Sequence, residues 1–196
     1  GTFTDVTRQS GLECPEFSTG AAFADYDQDG DLDIFVANYV EFDLNNPPKR
    51  GAFCDYAGLK VACGPEGQVG ARDFLYRNNG EGSFTDVSKA AGVSDEERYY
   101  GLGVTWSDVD NDGDQDLFVA NDLTPNYLYL NDGKGGFKNA GFEVGVSVAG
   151  DAQAQACMGV DVADVNGDGL LEIAVTNFSK EYKQYQFEIL SEIILS

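Results

Sequence analysis

The sequence predicts an all-β fold of repeated blades, each built from four short antiparallel strands. Three observations carry that reading. One segment occurs three times, as GAAFADYDQDGDLDIFVAN (20–38), GVTWSDVDNDGDQDLFVAN (103–121) and GVDVADVNGDGLLEIAVTN (159–177). A second unit recurs as LYRNNGEGSF (75–84) and LYLNDGKGGF (128–137). A third match pairs TFTDVTRQSGL (2–12) with SFTDVSKAAGV (83–93). Repeats of this size, none able to bury its apolar face alone, mark solenoids and β-propellers.

The units follow one order. An apolar run ends in Asp, an Asp-rich loop follows, and a second apolar run comes next. Ile34–Ala37, Leu117–Ala120 and Ile173–Val175 are unbroken apolar runs, which suit strands covered on both faces. A Leu-Tyr strand, an Asn/Asp-Gly turn and a Phe strand complete the unit. Asn78-Asn79-Gly80 and Asn131-Asp132-Gly133 read as hairpin turns, since Asn and Gly tolerate positive φ.

The chain then reads as one domain over 1–196, an incomplete or open propeller of about three blades. Residues 1–12 supply a strand of a preceding blade. Residues 20–93 form a first blade with an insertion at 41–72, and 101–141 form a second. Residues 157–196 begin a third and end in an irregular tail. The insertion has loop composition, with Asn45-Asn46-Pro47-Pro48 and several glycines. In the tail, Tyr185, Phe187 and Ile189 alternate as in a strand, while Leu190, Ile193 and Ile194 fit a helix equally well.

Charge narrows the function. The chain has 34 acidic and 12 basic residues, a net charge of -22, and no histidine. Such a surface repels nucleic acid and anionic membrane and calls for a cation. Without histidine there is no Ser-His-Asp triad and no His-ligated zinc. No apolar run is long enough to cross a bilayer. Cysteines stand at 14, 54, 63 and 157. Four allow three pairings. Cys54 and Cys63 are the closest in sequence and the favoured pair, which suits an oxidising compartment; the other two pair or stay free.

The chemistry sits in DYDQDGDLD (25–33), DVDNDGDQD (108–116) and DVNGDGLLE (164–172). The pattern is D-x-[DN]-x-D-G-x-x-[DE]. Calcium takes 6–8 oxygens at about 2.3–2.6 Å and tolerates irregular geometry. Carboxylates at positions 1, 3 and 5 can converge on one ion, Gly at position 6 permits the sharp turn, and positions 7 and 9 can close the shell. At 4 Å and an effective dielectric of 20, each like-charged pair costs about 4 kcal/mol without a counter-ion. An EF-hand is excluded, because its position-12 Glu would fall on Val36, Val119 and Val175. A single such loop reads as well as a solvated acidic turn; three aligned copies do not.

The loop in its frame resembles the FG-GAP, or VCBS, repeat of integrin-alpha-type β-propellers. The phrase NNGEGSFTDVSKAAGV and the insertion ending CGPEG resemble bacterial relatives of cartilage acidic protein. The resemblance spans about residues 1–178. It implies calcium ligands Asp25, Asp27, Asp29 and Asp33; Asp108, Asp110, Asp112 and Asp116; and Asp164, Asn166, Asp168 and Glu172. Asp31, Asp114 and Leu170 would offer main-chain carbonyls. About three Ca2+ ions are thus expected. The resemblance also implies a secreted, cell-surface or periplasmic module whose propeller faces bind protein or glycan. Two features depart from the family pattern: fewer blades than a closed ring, and no Leu-Tyr phrase after Phe178. Missing blades or self-association should therefore cover the open ends.

Two other functions compete with a non-catalytic binding module. One is a propeller glycosidase or lyase using two carboxylates, although most Asp residues are already assigned to calcium and no acid–base pair stands out. The other is a purely structural repeat of a larger surface protein. Trp106 reads as core packing, Tyr99-Tyr100 as a packed connector, and the Asn177 sequon as a chance match.

Overall fold

The computed structural model describes residues 1–43, 45, 53–56, 58–62, 64, 65 and 67–178. Every sheet in it is antiparallel. In the first blade β1 (Ser18–Ala24) pairs with β2 (Asp33–Asn38), which pairs with β5 (Phe74–Asn78), which pairs with β6 (Phe84–Asp86). A separate hairpin, β3 (Phe53–Tyr56) with β4 (Leu59–Ala62), lies between β2 and β5 in the chain. The insertion was expected as loop only. The alternation of Leu59 and Val61 with polar residues supplies a short strand pair that its Gly and Pro content masks. One helical turn, α1 (Ser88–Ala91), closes on Gly92 in the left-handed conformation.

The second blade repeats the meander as β7 (Gly101–Ser107), β8 (Asp116–Asn121), β9 (Tyr127–Asn131) and β10 (Phe137–Asn139). The third contributes β11 (Cys157–Ala163) and β12 (Glu172–Asn177). Among the described residues no sheet closes on itself, and the three blades form an open, incomplete propeller. The tail from 179 onward, with its strand and helix alternatives, lies outside the described residues.

The three first hairpins share one register. Ala24 faces Asp33, Ser107 faces Asp116, and Ala163 faces Glu172. Each slips by a residue just before the repeat glycine, at Ser18/Gly20, Gly101/Gly103 and Cys157/Gly159. A bulge of this kind bends the strand. The first strands of successive blades pack together, β1 on β7 and β7 on β11.

The core lies between blades. Tyr26, Phe35 and Leu75 of the first blade meet Leu117, Val119, Tyr127 and Tyr129 of the second, with Trp106 and Phe137 against them. Phe118, Leu128 and Val146 meet Cys157 and Ile173 of the third. Trp106 is thus a packing residue, and Tyr99 stacks on Tyr127 with ring centroids 5.0 Å apart.

Residues 1–12 form no strand, contrary to the expectation of a leading strand there. One backbone bond, Phe84 N to the Ser10 carbonyl at 2.8 Å, ties this segment to β6. Leu12 and Cys14 instead pack over Ile34, Phe74 and Tyr76 on the outer side of the first blade. A strand needs a whole ladder of partners; this segment has one bond to β6 and otherwise bonds within itself as turns, such as Ser10 N to the Val6 carbonyl and Leu12 N to the Thr7 carbonyl. Cys14 and Cys157 do not pair with each other. The expected Cys54–Cys63 bridge falls partly outside the described residues, because Cys63 is not among them.

Candidate metal centre

Each Asp-rich loop joins the first two strands of a blade, so a strand hairpin presents the carboxylates. Two positions of positive φ in each loop make this possible. Position 4 takes positive φ in every copy, at Gln28, Asn111 and Gly167, and position 6 does so at Gly30, Gly113 and Gly169. With φ of 96°, 98° and 88°, position 6 suits glycine far better than any residue bearing a Cβ.

The same hydrogen bonds recur in all three loops. The position-6 amide donates to the position-1 carboxylate: Gly30 N to Asp25 Oδ2 at 3.0 Å, Gly113 N to Asp108 Oδ2 at 3.1 Å, and Gly169 N to Asp164 Oδ2 at 3.0 Å. The position-7 amide donates to position 5: Asp31 N to Asp29 Oδ1 at 2.9 Å, Asp114 N to Asp112 Oδ1 at 3.0 Å, and Leu170 N to Asp168 Oδ1 at 2.8 Å. The loop's own amides thus hold one oxygen of each of these carboxylates in every copy.

In the first loop, one oxygen each from Asp25, Asp27 and Asp29 lies within 4.8 Å of the others. In the second, Asp108, Asp110 and Asp116 are gathered in the same way. Asp25 Oδ1, Asp27 Oδ1 and Asp108 Oδ1 are buried and accept no hydrogen bond. Burial and then neighbouring carboxylates push Asp27 and Asp110 above the ordinary carboxylate range. Converging, unsatisfied anionic oxygens fit a hard cation.

Position 9 has a second task. Asp33 accepts from Tyr26 N at 3.2 Å and Asn78 N at 2.8 Å. Asp116 accepts from Val109 N at 3.0 Å and Asn131 N at 2.9 Å. Glu172 accepts from Val165 N at 2.8 Å. This residue clasps the loop to its own start and, in the first two blades, to the third strand. Burial lifts Asp33 to about 6 and Asp116 to about 7. Asp116 is among the gathered oxygens; Asp33 and Asp112 are not.

The position-7 side chains turn away from the loop centre. Asp114 Oδ1 accepts from Gln28, and Asp31 lies beside Gly80. Their main-chain carbonyls remain for the expected role, as does that of Leu170. The third loop is looser. Asn166 donates to Asp168 Oδ2 and Glu172 Oε1, both at 3.0 Å, and Asp164 Oδ1 takes Gly167 N at 2.6 Å. Its amide and carboxylates satisfy one another.

Asn78 and Asn131 were read only as turn residues. Positive φ falls instead on Gly80, Glu81 and Gly82 in the first turn and on Gly133 and Gly135 in the second, and the backbone amides of the two asparagines hold the position-9 acid.

Antiparallel blades stacked in an open arc, each opening on an acidic hairpin loop, define a repeat protein of the propeller class. The family model for the FG-GAP-like repeat matches residues 61–119 and 108–175. The chain belongs to that family. It is similar to mouse cartilage acidic protein 1, at 27% identity over 182 residues, covering 92% of this chain and 24% of that protein. The human protein of that name is 35% identical over 101 residues, covering 51% of this chain and 14% of that protein. The chain therefore spans a quarter or less of each of these relatives. Among the described residues, no helix is long and apolar enough to cross a membrane.

Proposed function

We propose that the chain is a calcium-stabilised, non-catalytic repeat module that presents blade faces and loops to an extracellular protein or glycan. Asp25, Asp27 and Asp29 hold one ion, with Asp33 behind them. Asp108, Asp110 and Asp116 hold a second, with Asp112 beside them. Asp164, Asn166, Asp168 and Glu172 hold a third, weaker one. The observation that carries this reading is the set of buried, unpartnered oxygens on Asp25, Asp27 and Asp108. Buried oxygens of this kind are costly unless something coordinates them. Calcium, once bound, supplies the positive charge that offsets the crowded carboxylates, and the residues do the orienting.

Weak calcium loops suit millimolar extracellular calcium. A secreted, cell-surface or periplasmic setting follows, and a Cys54–Cys63 bridge would match it. Calorimetric titration of the calcium-free chain with CaCl2 is the direct test. Two to three bound ions support the reading, and the absence of binding at millimolar calcium would remove it.

A further inference from the structure

The first two loops are joined to each other. Asn131 is buried, and its backbone amide holds Asp116 of the second loop. Its side-chain Nδ2 donates to the Tyr26 carbonyl of the first loop at 2.8 Å and to the Gln115 carbonyl at 3.1 Å. The Tyr26 amide in turn holds Asp33. A hydrogen-bonded line therefore runs from position 9 of one loop to position 9 of the next, as Asp116, Asn131, Tyr26 and Asp33. At the exposed rim a second bridge crosses the same gap. Gln28 Nε2 donates to the Gly113 carbonyl at 3.0 Å and to Asp114 Oδ1 at 2.7 Å.

Among the described residues, these bridges join the first two loops and no other pair. Asn78, the counterpart of Asn131, reaches only its own loop, at the Leu32 carbonyl. Asn111, the counterpart of Gln28, is one methylene shorter and, among the described residues, makes no hydrogen bond to the third loop. Gly167 has no side chain to offer.

We propose that the first two loops act as one unit, so that calcium at either raises the affinity of the other. The proposal rests on the calcium reading above. Gln28 sits between candidate ligands Asp27 and Asp29, with a non-glycine φ of 57°. Fixing the second loop fixes Gly113 and Asp114, which anchor Gln28, and Asp116, which anchors Asn131. The ordering that the first loop would otherwise undergo on binding is then already done. The effect is reciprocal, because linkage between two binding sites is symmetric.

The test is calcium titration by calorimetry in a chain carrying Asp164→Asn, which silences the third loop. A coupling of about fivefold, at the low end for linked sites, gives a Hill coefficient of about 1.4. Adding Gln28→Gly, which keeps the left-handed turn, should lower that coefficient towards 1 while two ions still bind. Asp110→Asn should weaken the first loop by the same factor by which Asp27→Asn weakens the second. An isotherm of two independent sites in the parent overturns the coupling and leaves the calcium reading intact. Unchanged cooperativity in Gln28→Gly also overturns it as assigned to these residues. No binding in the parent removes the calcium reading and the coupling together.

Discussion

Gly20 of the first blade presses against the Leu102 carbonyl of the second: a Cβ at Gly20 would stand 2.6 Å from that oxygen. One blade further on, Gly103 meets the Met158 carbonyl in the same way, with a Cβ distance of 2.9 Å. The glycine that opens each repeat is therefore the point where successive blades touch. Neither has positive φ, so the constraint is one of space alone. Gly20→Ala and Gly103→Ala should each lower stability by about 1–3 kcal/mol, the usual range for overpacking. Gly159→Ala should cost less, because its Cβ would meet only Thr176 Oγ1 at 3.2 Å. Urea unfolding of the three variants checks this, and equal losses would contradict it.

Trp106 and Phe23 stand at the same position of their repeats. Trp106 packs on Tyr26 and Phe35 of the preceding blade and donates to the Ala22 carbonyl at 3.3 Å. Phe23 has no preceding blade among the described residues and is 62% exposed. Trp106→Ser should destabilise by about 3–5 kcal/mol, whereas Phe23→Ser should stay within about 0.5 kcal/mol. An apolar face left open favours association, so Phe23→Ser should also reduce any self-association seen by sedimentation velocity. Stability losses of similar size would show that Phe23 is packed in solution.

The loops also separate ligand from clasp. Asp27 carries an unpartnered oxygen, while both oxygens of Asp33 are bonded to backbone amides. Asp27→Asn should weaken calcium binding and raise the calcium-free melting point, because it removes one of the crowded, unpartnered charges. Asp33→Asn should instead lower the calcium-free melting point, because a buried amide donor loses its acceptor, at about 1–3 kcal/mol. Paired titrations and melts distinguish the two. A calcium-free loss as large in Asp27→Asn would place that residue in the clasp instead.

The motif itself was legible because it is repeated. Position 6 glycines, position 1 acids and flanking apolar runs align in three copies, and the register of Asp33, Asp116 and Glu172 follows from them. The clasp was not legible. An acid at position 9 looks like any other ligand until the third strand brings Asn78 or Asn131 beside it, some 45 and 15 residues along the chain. Gln28 was equally hidden, since its partners lie in another blade. The TFTDV phrase matches a strand of the first blade, but that match cannot say which sheet the segment would join, and in the structure residues 2–6 pair with no strand.

Acidity should stabilise the calcium-free chain. Burial holds Asp33 at about 6, Asp116 at about 7 and Asp95 at about 6, against an ordinary value of 3.8. Burial, and then Asp95, hold Asp73 well above that value too. Folded values above unfolded ones mean that the fold favours the protonated acids. Their contribution is complete below about pH 4 and is lost as the pH rises through about 6 to 7. Calcium-free melts should therefore fall between pH 5 and 7.5, and a rise over that window would contradict the assignment.

Thermal unfolding in calcium and in chelator tests the central claim most directly. At free calcium a hundredfold above the dissociation constant, each occupied loop adds about 2.7 kcal/mol. For a chain of this length each kcal/mol moves the midpoint by about 2–4 °C. Two or three occupied loops should therefore raise the midpoint by more than about 10 °C at pH 7.5, with Asp27→Asn and Asp110→Asn each giving up part of that gain. Coincident midpoints with and without calcium would contradict the account.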